Sequence, residues 1–326
     1  MKNIVIIATG GTIAGSGKVG KATNYQAGKI DIKEIIDSIS MINEIANLKA
    51  IQLFNVDSNE MNEDHWLILT NKINELASKD DVDGIVVTHG TDTLDETAYF
   101  LNLTINTYKP VVLTGAMRPA SATSADGPMN LYQAVCLASS DDALGHGVMA
   151  LFSSTIYSGR DIQKISNFKI DAFDQKDFGC LGYMHDDEVL MFSRTFKKHT
   201  LQSIFSNELP KVLPSVGIVY YYAGANVEIL TMMAKDHQGI VIIGSGSGNY
   251  SKTWLQEIER LYNEGIIFVR ASRVNQGIVY ESTTFDPNNI CIPSNTLSGQ
   301  KARVLLMLAL SKTKEIKEIK NIFSEY

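Results

Sequence analysis

The stretch Gly84-Ile-Val-Val-Thr-His-Gly-Thr-Asp-Thr-Leu-Asp-Glu-Thr97 constrains this chain more than any other. A short β-branched run breaks into hydroxyls, a histidine, a glycine and acids, and a helical pattern then begins. Gly84 to Val87 is too short and too β-branched for a helix, and Thr93-Leu-Asp-Glu96 has the T-x-x-E spacing of a capping box that opens the next one. The reading is a strand that ends in a loop and feeds a helix, with Thr91 and Asp92 at the strand's carboxyl end. In open α/β sheets that crevice is where ligands bind, and the unpaired N–H groups of the following helix favour negative charge there. A hydroxyl so placed could attack a carbonyl while nearby amides hold the oxyanion. The plainer alternative is that Thr88, Thr91 and Thr93 serve only turns and caps.

Composition narrows the setting. A chain of 326 residues with 44% hydrophobic and 20% charged residues can bury the cores of two globular domains. A net charge of −7 argues against a nucleic-acid or anionic-membrane surface and favours a small-molecule ligand. Cys136, Cys180 and Cys291 are far apart and have no metal-ligand spacing, so neither disulfides nor zinc is expected. No run approaches the roughly 18 apolar residues of a membrane span. The start, Met1-Lys-Asn3 running into Ile4-Val-Ile-Ile7, is too short for a signal peptide. The expected location is cytoplasmic, or periplasmic had an export signal been removed.

Strands are expected at Ile4–Ala8, Leu48–Phe54, Gly84–Val87, Val111–Thr114 and Gly147–Phe152. Between them lie helices, one capped by Asn62 and carrying Trp66, Leu69, Ile73 and Leu76 on one face, another starting at Asp126-Gly-Pro128. This alternation predicts an α/β fold: a larger N-terminal domain with a mainly parallel, flavodoxin-like sheet flanked by helices. The pattern degrades between about Tyr183 and Pro214. It resumes with strands at Val216–Tyr222, Gly239–Ile243 and Ile266–Val269, and closes on helices from Lys301 and around Ile316 to Phe323. The expected division is a domain over 1–190, a linker over 191–213 and a smaller α/β domain over 214–326.

Glycine-rich loops invite a nucleotide reading, which fails. Gly15-Ser-Gly-Lys-Val-Gly20 fits G-x-G-x-x-G by letter, but it lies past the strand end and no helical pattern follows. A P-loop around Gly17-Lys18 lacks the required residues at Thr12 and Val19. Two strand-end loops remain, each with a threonine beside glycine: Thr12 after Gly10-Gly11, and Thr91 after Gly90. Glycines there let a substrate approach the backbone and leave N–H groups to face an oxyanion. A threonine hydroxyl needs help to lose its proton, and the candidate helpers are Tyr25 in the glycine-rich loop, Lys164 and Asp92.

Ala8-Thr-Gly-Gly-Thr-Ile-Ala-Gly15 with Thr88-His-Gly-Thr-Asp-Thr93 resembles the paired signature of the bacterial-type L-asparaginases. The likeness continues through Gly115-Ala-Met-Arg-Pro119, Ser124-Ala-Asp-Gly127 and Gln300-Lys-Ala-Arg-Val-Leu-Leu306, nearest the type II kind. The resemblance implies an amidohydrolase that converts L-asparagine to L-aspartate and ammonia, with L-glutamine a minor substrate and with no metal or cofactor. It implies Thr12 as the nucleophile forming an acyl-enzyme, Tyr25 beside it, and Thr91, Asp92 and Lys164 as a second triad; which threonine attacks first stays open. Ser58, Asn59 and Asp92 would hold the α-groups of the substrate, and the backbone at Thr91 and Ala116 would face its amide. The family also implies a homotetramer of intimate dimers whose neighbouring subunit completes the site.

The chain departs from the family pattern at Asn59, where relatives carry Gln, and at Ser247, where many carry Asn. Glu281 falls early for the Glu that follows the Ser-Arg-Val segment. The alternatives kept open are a glutaminase-asparaginase of dual specificity and a non-catalytic amino-acid-binding protein on the same fold.

Overall fold

The computed structural model describes residues 1–18, 20–21, 25–26, 31–39, 41–175 and 177–326, with Ser16, Tyr25 and Gln26 described by backbone alone. It divides into two compact units, Met1–Leu209 and Pro210–Tyr326. The expected linker, 191–213, straddles that division.

In the first unit the strands of the large sheet are β1 (Lys2–Gly10), β2 (Ala46–Val56), β3 (Gly84–Thr88), β4 (Val111–Thr114), β5 (Val148–Phe152), β6 (Thr155–Ser158), β7 (Gly182–His185) and β8 (Glu188–Met191). They form one eight-stranded sheet in the order β8-β7-β6-β5-β4-β3-β1-β2. The stretch from β2 to β5 is parallel and has the flavodoxin-like order 2-1-3-4-5. The remaining strands join antiparallel at the far edge.

The central strands read as continuous apolar runs because both of their faces are covered. Along β1, Ile4 and Ile6 pack with Leu131, Ala134 and Val135 of α5 (Gly127–Ser139). The alternate residues Val5 and Ile7 pack with Leu69 and Ile73 of α3 (Glu63–Ala77) and with Ala98 and Leu101 of α4 (Leu94–Thr104). Each such Ile or Val contributes roughly 1.5–3 kcal/mol of burial, which holds the register against a one-residue slip. The short helices α1 (Ile32–Asp37) and α2 (Ile42–Ile45) lie between β1 and β2.

Local signals set most element starts. Asn62 Oδ1 accepts from His65 N at 3.1 Å and caps α3. The capping box expected at Thr93 and Glu96 does not form: the Thr93 hydroxyl leaves its own helix and donates to Ser58 O at 2.8 Å. Strands β7 and β8 occupy part of the region where no regular pattern was expected. Each is four residues long and borders solvent, so neither shows the buried run of a central strand.

The second unit contains β9 (Val216–Tyr220), β10 (Gly239–Gly244), β11 (Ile267–Ser272) and β12 (Cys291–Pro293), parallel and in that order. Its helices are α6 (Glu228–Ala234), α7 (Lys252–Asn263), α8 (Gly299–Leu310) and α9 (Ile316–Glu325). The chain is thus two α/β units, the larger with a mainly parallel sheet, as the alternation of elements predicts.

Candidate active site

The strand order reverses between β1 and β3, which pair in parallel with Ala8 opposite Thr88. The loops leaving these two strands therefore diverge to opposite sides and open a crevice at their carboxyl ends. After β1 the chain passes through Gly10 and Gly11, at φ 113° and 83°, into a 3₁₀ turn over Thr12–Ala14. Only glycine takes those angles without strain.

Glycine contacts bring four turns together. A Cβ on Gly11 would stand 2.5 Å from Gly90 N, so the turns carrying Thr12 and Thr91 touch through their backbones. A Cβ on Gly90 would meet Ser58 Cβ at 2.7 Å, and one on Gly115 would meet His89 O at 2.3 Å. One on Gly127 would meet Ile13 Cγ1 at 2.8 Å and Ala116 Cβ at 3.3 Å. Thr12, Ser58, Thr91 and Ala116 thus come from separate turns packed at one end of the sheet, and all four are buried.

Lys164 arrives from a different direction, on the short antiparallel pair Gln163–Lys164 and Phe173–Asp174. Its Nζ donates to Thr91 Oγ1 at 2.8 Å and to Asp92 Oδ1 at 2.6 Å. Asp92 N donates to Ser58 Oγ at 3.3 Å. Asn59 Nδ2 donates to Asp92 Oδ2 at 3.4 Å and to Asp57 Oδ1 at 3.0 Å. Ser58, Asn59, Thr91, Asp92 and Lys164 therefore form one hydrogen-bonded group. Asp92 stays exposed while Thr91 is buried, so the carboxylate faces solvent and the hydroxyl lies at the crevice floor. Tyr25 sits opposite Gly17 on a two-residue strand pair, and its side chain lies outside the described residues. Ser247 and Glu281 are exposed residues of the second unit, and Glu281 Oε1 lies 3.2 Å from Lys320 Nζ.

Three further groups support the site in ways the sequence does not predict. Asp57 holds both amide groups of Asn59, N at 3.1 Å and Nδ2 at 3.0 Å; a D-x-N step at a turn is a weak but readable sign of it. His89 is wholly buried, with Nδ1 2.7 Å from Gly90 O and Nε2 3.0 Å from Thr97 Oγ1, which accepts from Trp66 Nε1 at 2.8 Å. A carbonyl only accepts, so Nδ1 carries the proton and Nε2 accepts from the Thr97 hydroxyl. Burial pushes the His89 imidazole down to about 4, so it is neutral. Asp126 and Asn130 brace the Gly115–Arg118 turn from α5; the local pattern marks Asp126 only as a helix start and does not mark Asn130.

Among the described residues no group of three or more His, Cys, Asp or Glu could hold a metal ion, and no helix is long and apolar enough to cross a membrane. Hydroxyls, a carboxylate and a lysine at the switch point of a parallel sheet define the class: an α/β protein with a polar crevice at the carboxyl ends of its strands, where small molecules bind in such folds. Family models match nearly the whole chain, "Asparaginase, N-terminal" over residues 3–197 and "Glutaminase/Asparaginase C-terminal domain" over 215–323. The chain is 42% identical to the probable periplasmic L-asparaginase of Haemophilus influenzae, covering 100% of this chain and 93% of that one. It is 39% identical to the glutaminase-asparaginase of Pseudomonas fluorescens biotype A, covering 100% and 91%. Its fold matches the crystal structure of a probable cytoplasmic L-asparaginase from Campylobacter jejuni with a TM-score of 0.96 at 42% identity, over 100% of both chains. The chain belongs to the bacterial-type L-asparaginase family.

Proposed function

We propose that the protein hydrolyses L-asparagine to L-aspartate and ammonia through a threonine nucleophile. The observation that carries this reading is the hydrogen-bonded set Lys164–Thr91–Asp92, with its turn packed against the turn of Thr12. In this reading Thr12 Oγ1 adds to the side-chain amide carbon, the oxyanion is held by N–H groups of the glycine turns, and ammonia leaves from the tetrahedral adduct. Thr91 and Lys164 pass protons across their 2.8 Å contact. Water then cleaves the ester and releases L-aspartate. Ser58, Asn59 and Asp92 hold the α-carboxylate and α-amino groups, since a carboxylate pairs with an ammonium and hydroxyls suit a carboxylate. The backbone at Ala116 faces the amide, and Tyr25 works beside Thr12 from the glycine-rich loop. No cofactor takes part.

The catalytic set falls within a domain over 1–190, joined by a linker at 191–213 to a second domain over 214–326. A homotetramer of intimate dimers, in which a neighbour completes the site near Ser247 and Glu281, belongs to the same proposal. So does a cytoplasmic location, supported by the name of the structural relative from Campylobacter jejuni.

A dual glutaminase-asparaginase is the second reading, favoured by the relative of that name. A pocket separates substrates differing by one methylene by only about 1–3 kcal/mol. Ammonia release from both amides decides: kcat/KM for L-asparagine should exceed that for L-glutamine. Equal values would establish dual specificity, and binding of L-asparagine without ammonia would make the protein an amino-acid-binding one.

A further inference from the structure

We infer that Asp126 and Asn130, at the start of α5, are positioning residues that fix the two peptides flanking Ala116 so that its N–H and C=O both point into the crevice. The inference rests on the amidohydrolase reading for its kinetic consequence, and on geometry alone for the orientation.

Asn130 is 2% exposed and satisfied on both ends of its amide. Its Nδ2 donates to Gly115 O at 3.0 Å, and its Oδ1 accepts from Ser153 N at 3.1 Å. Asp126 places one oxygen on each of two amides: Oδ2 accepts from Met117 N and Oδ1 from Arg118 N, both at 2.9 Å. The two side chains meet, Asn130 Nδ2 lying 3.3 Å from Asp126 Oδ2. Asp126 does not cap α5, because its carboxylate accepts no hydrogen bond from a backbone N–H of that helix.

The consequence follows from the planar peptide, in which C=O and N–H point in opposite directions. Asn130 holds Gly115 O on the α5 side, so Ala116 N–H points away from α5. Asp126 holds Met117 N–H on the same side, so Ala116 C=O also points away. The Ala116 side chain is wedged on the turn by Gly127 beneath it, with Ile13, the residue after Thr12, against the same glycine. Ala116 thus offers a donor and an acceptor from one rigid step, the pair a primary amide needs: a donor for its oxygen and an acceptor for its nitrogen. A carboxylate and a buried carboxamide four residues apart on the first turn of a helix set both.

The test uses Asn130→Asp, which keeps the acceptor for Ser153 N and removes the donor to Gly115 O, and Asp126→Asn, which has one acceptor where two amides need it. Each is measured in the full-length protein for kcat and KM on L-asparagine, inhibition by L-aspartate, melting temperature, and hydrogen exchange of the amides at 115–118. Each variant should lose about tenfold or more in kcat while KM and the L-aspartate inhibition constant stay within about threefold, since the α-group contacts lie on other turns. Exchange at 115–118 should quicken with the melting temperature little changed. Wild-type kcat in both variants overturns the inference, and so does a loss of activity that only follows a loss of melting temperature. A wild-type protein that releases no ammonia removes the amidohydrolase reading instead; exchange then decides the clamp, and unchanged protection at 115–118 in both variants overturns it.

Discussion

Gly11 and Gly90 meet backbone to backbone, so that a Cβ added to Gly11 would stand 2.5 Å from Gly90 N and 2.6 Å from Gly90 Cα. Each glycine immediately precedes a threonine of the candidate site. A side chain at Gly11 would force these two turns apart, whereas one at Gly90 would collide with Ser58 on a third turn. The reason for glycine here is therefore spatial as well as conformational.

Gly11→Ala should destabilise the first unit by about 3 kcal/mol or more, through a backbone clash and a φ of 83° that alanine adopts only under strain. Urea denaturation checks this. A stability within about 1 kcal/mol of wild type would show that the turns can separate.

Thr12→Val and Thr91→Val each remove one hydroxyl and keep the branched shape. Each should lower kcat on the order of a thousandfold or more while melting close to wild type. Steady-state ammonia release reads the loss, and either variant turning over near the wild-type rate would strip that threonine of its assigned role.

Lys164→Met should abolish the contacts to Thr91 Oγ1 and Asp92 Oδ1 and reduce kcat roughly 10²–10⁴-fold. L-aspartate binding, measured by calorimetry, should weaken far less. A variant that keeps kcat but loses L-aspartate would make Lys164 a binding group.

The buried His89 gives a pH dependence with a definite sign. Its ordinary value is 6.5 and its folded value about 4, so as pH falls the unfolded chain takes up this proton first. Stability from His89 is therefore fully present above about 6.5 and falls on the order of 3 kcal/mol by pH 4. Denaturation midpoints of wild type and His89→Gln, followed from about pH 8 down to about pH 4.5, check it: the variant should show a shallower fall below about 6.5. Parallel curves would assign the acid sensitivity to other groups.

Much of the fold was legible in the order of residues. The β-branched runs at Ile4–Ala8 and Val111–Thr114 sit where strands form, because a strand covered on both faces must be apolar throughout. Asn62 caps α3 because its hydrogen bond reaches only three residues along the chain. The short strands β7 and β8 at the antiparallel end of the sheet left no such trace, being only four residues long and bordered by solvent. Thr93 shows the limit of local rules: its hydroxyl serves Ser58 O, a partner 35 residues away, because the packed turns bring that carbonyl nearer than its own helix needs it.

What the sequence by itself determined is local: which segments are strands and helices, where glycine lets the backbone turn left-handed, and which side chains have hydroxyl, carboxylate or amine chemistry to offer. Tertiary structure alone decided that β1 lies between β2 and β3, that Lys164 spans 73 residues to reach Thr91, and that Asp126 braces a neighbouring turn where its own helix would accept a cap. The physical reason is range. Propensity and capping act within a few residues, whereas burial is indifferent to sequence separation and brings together whatever closes the core.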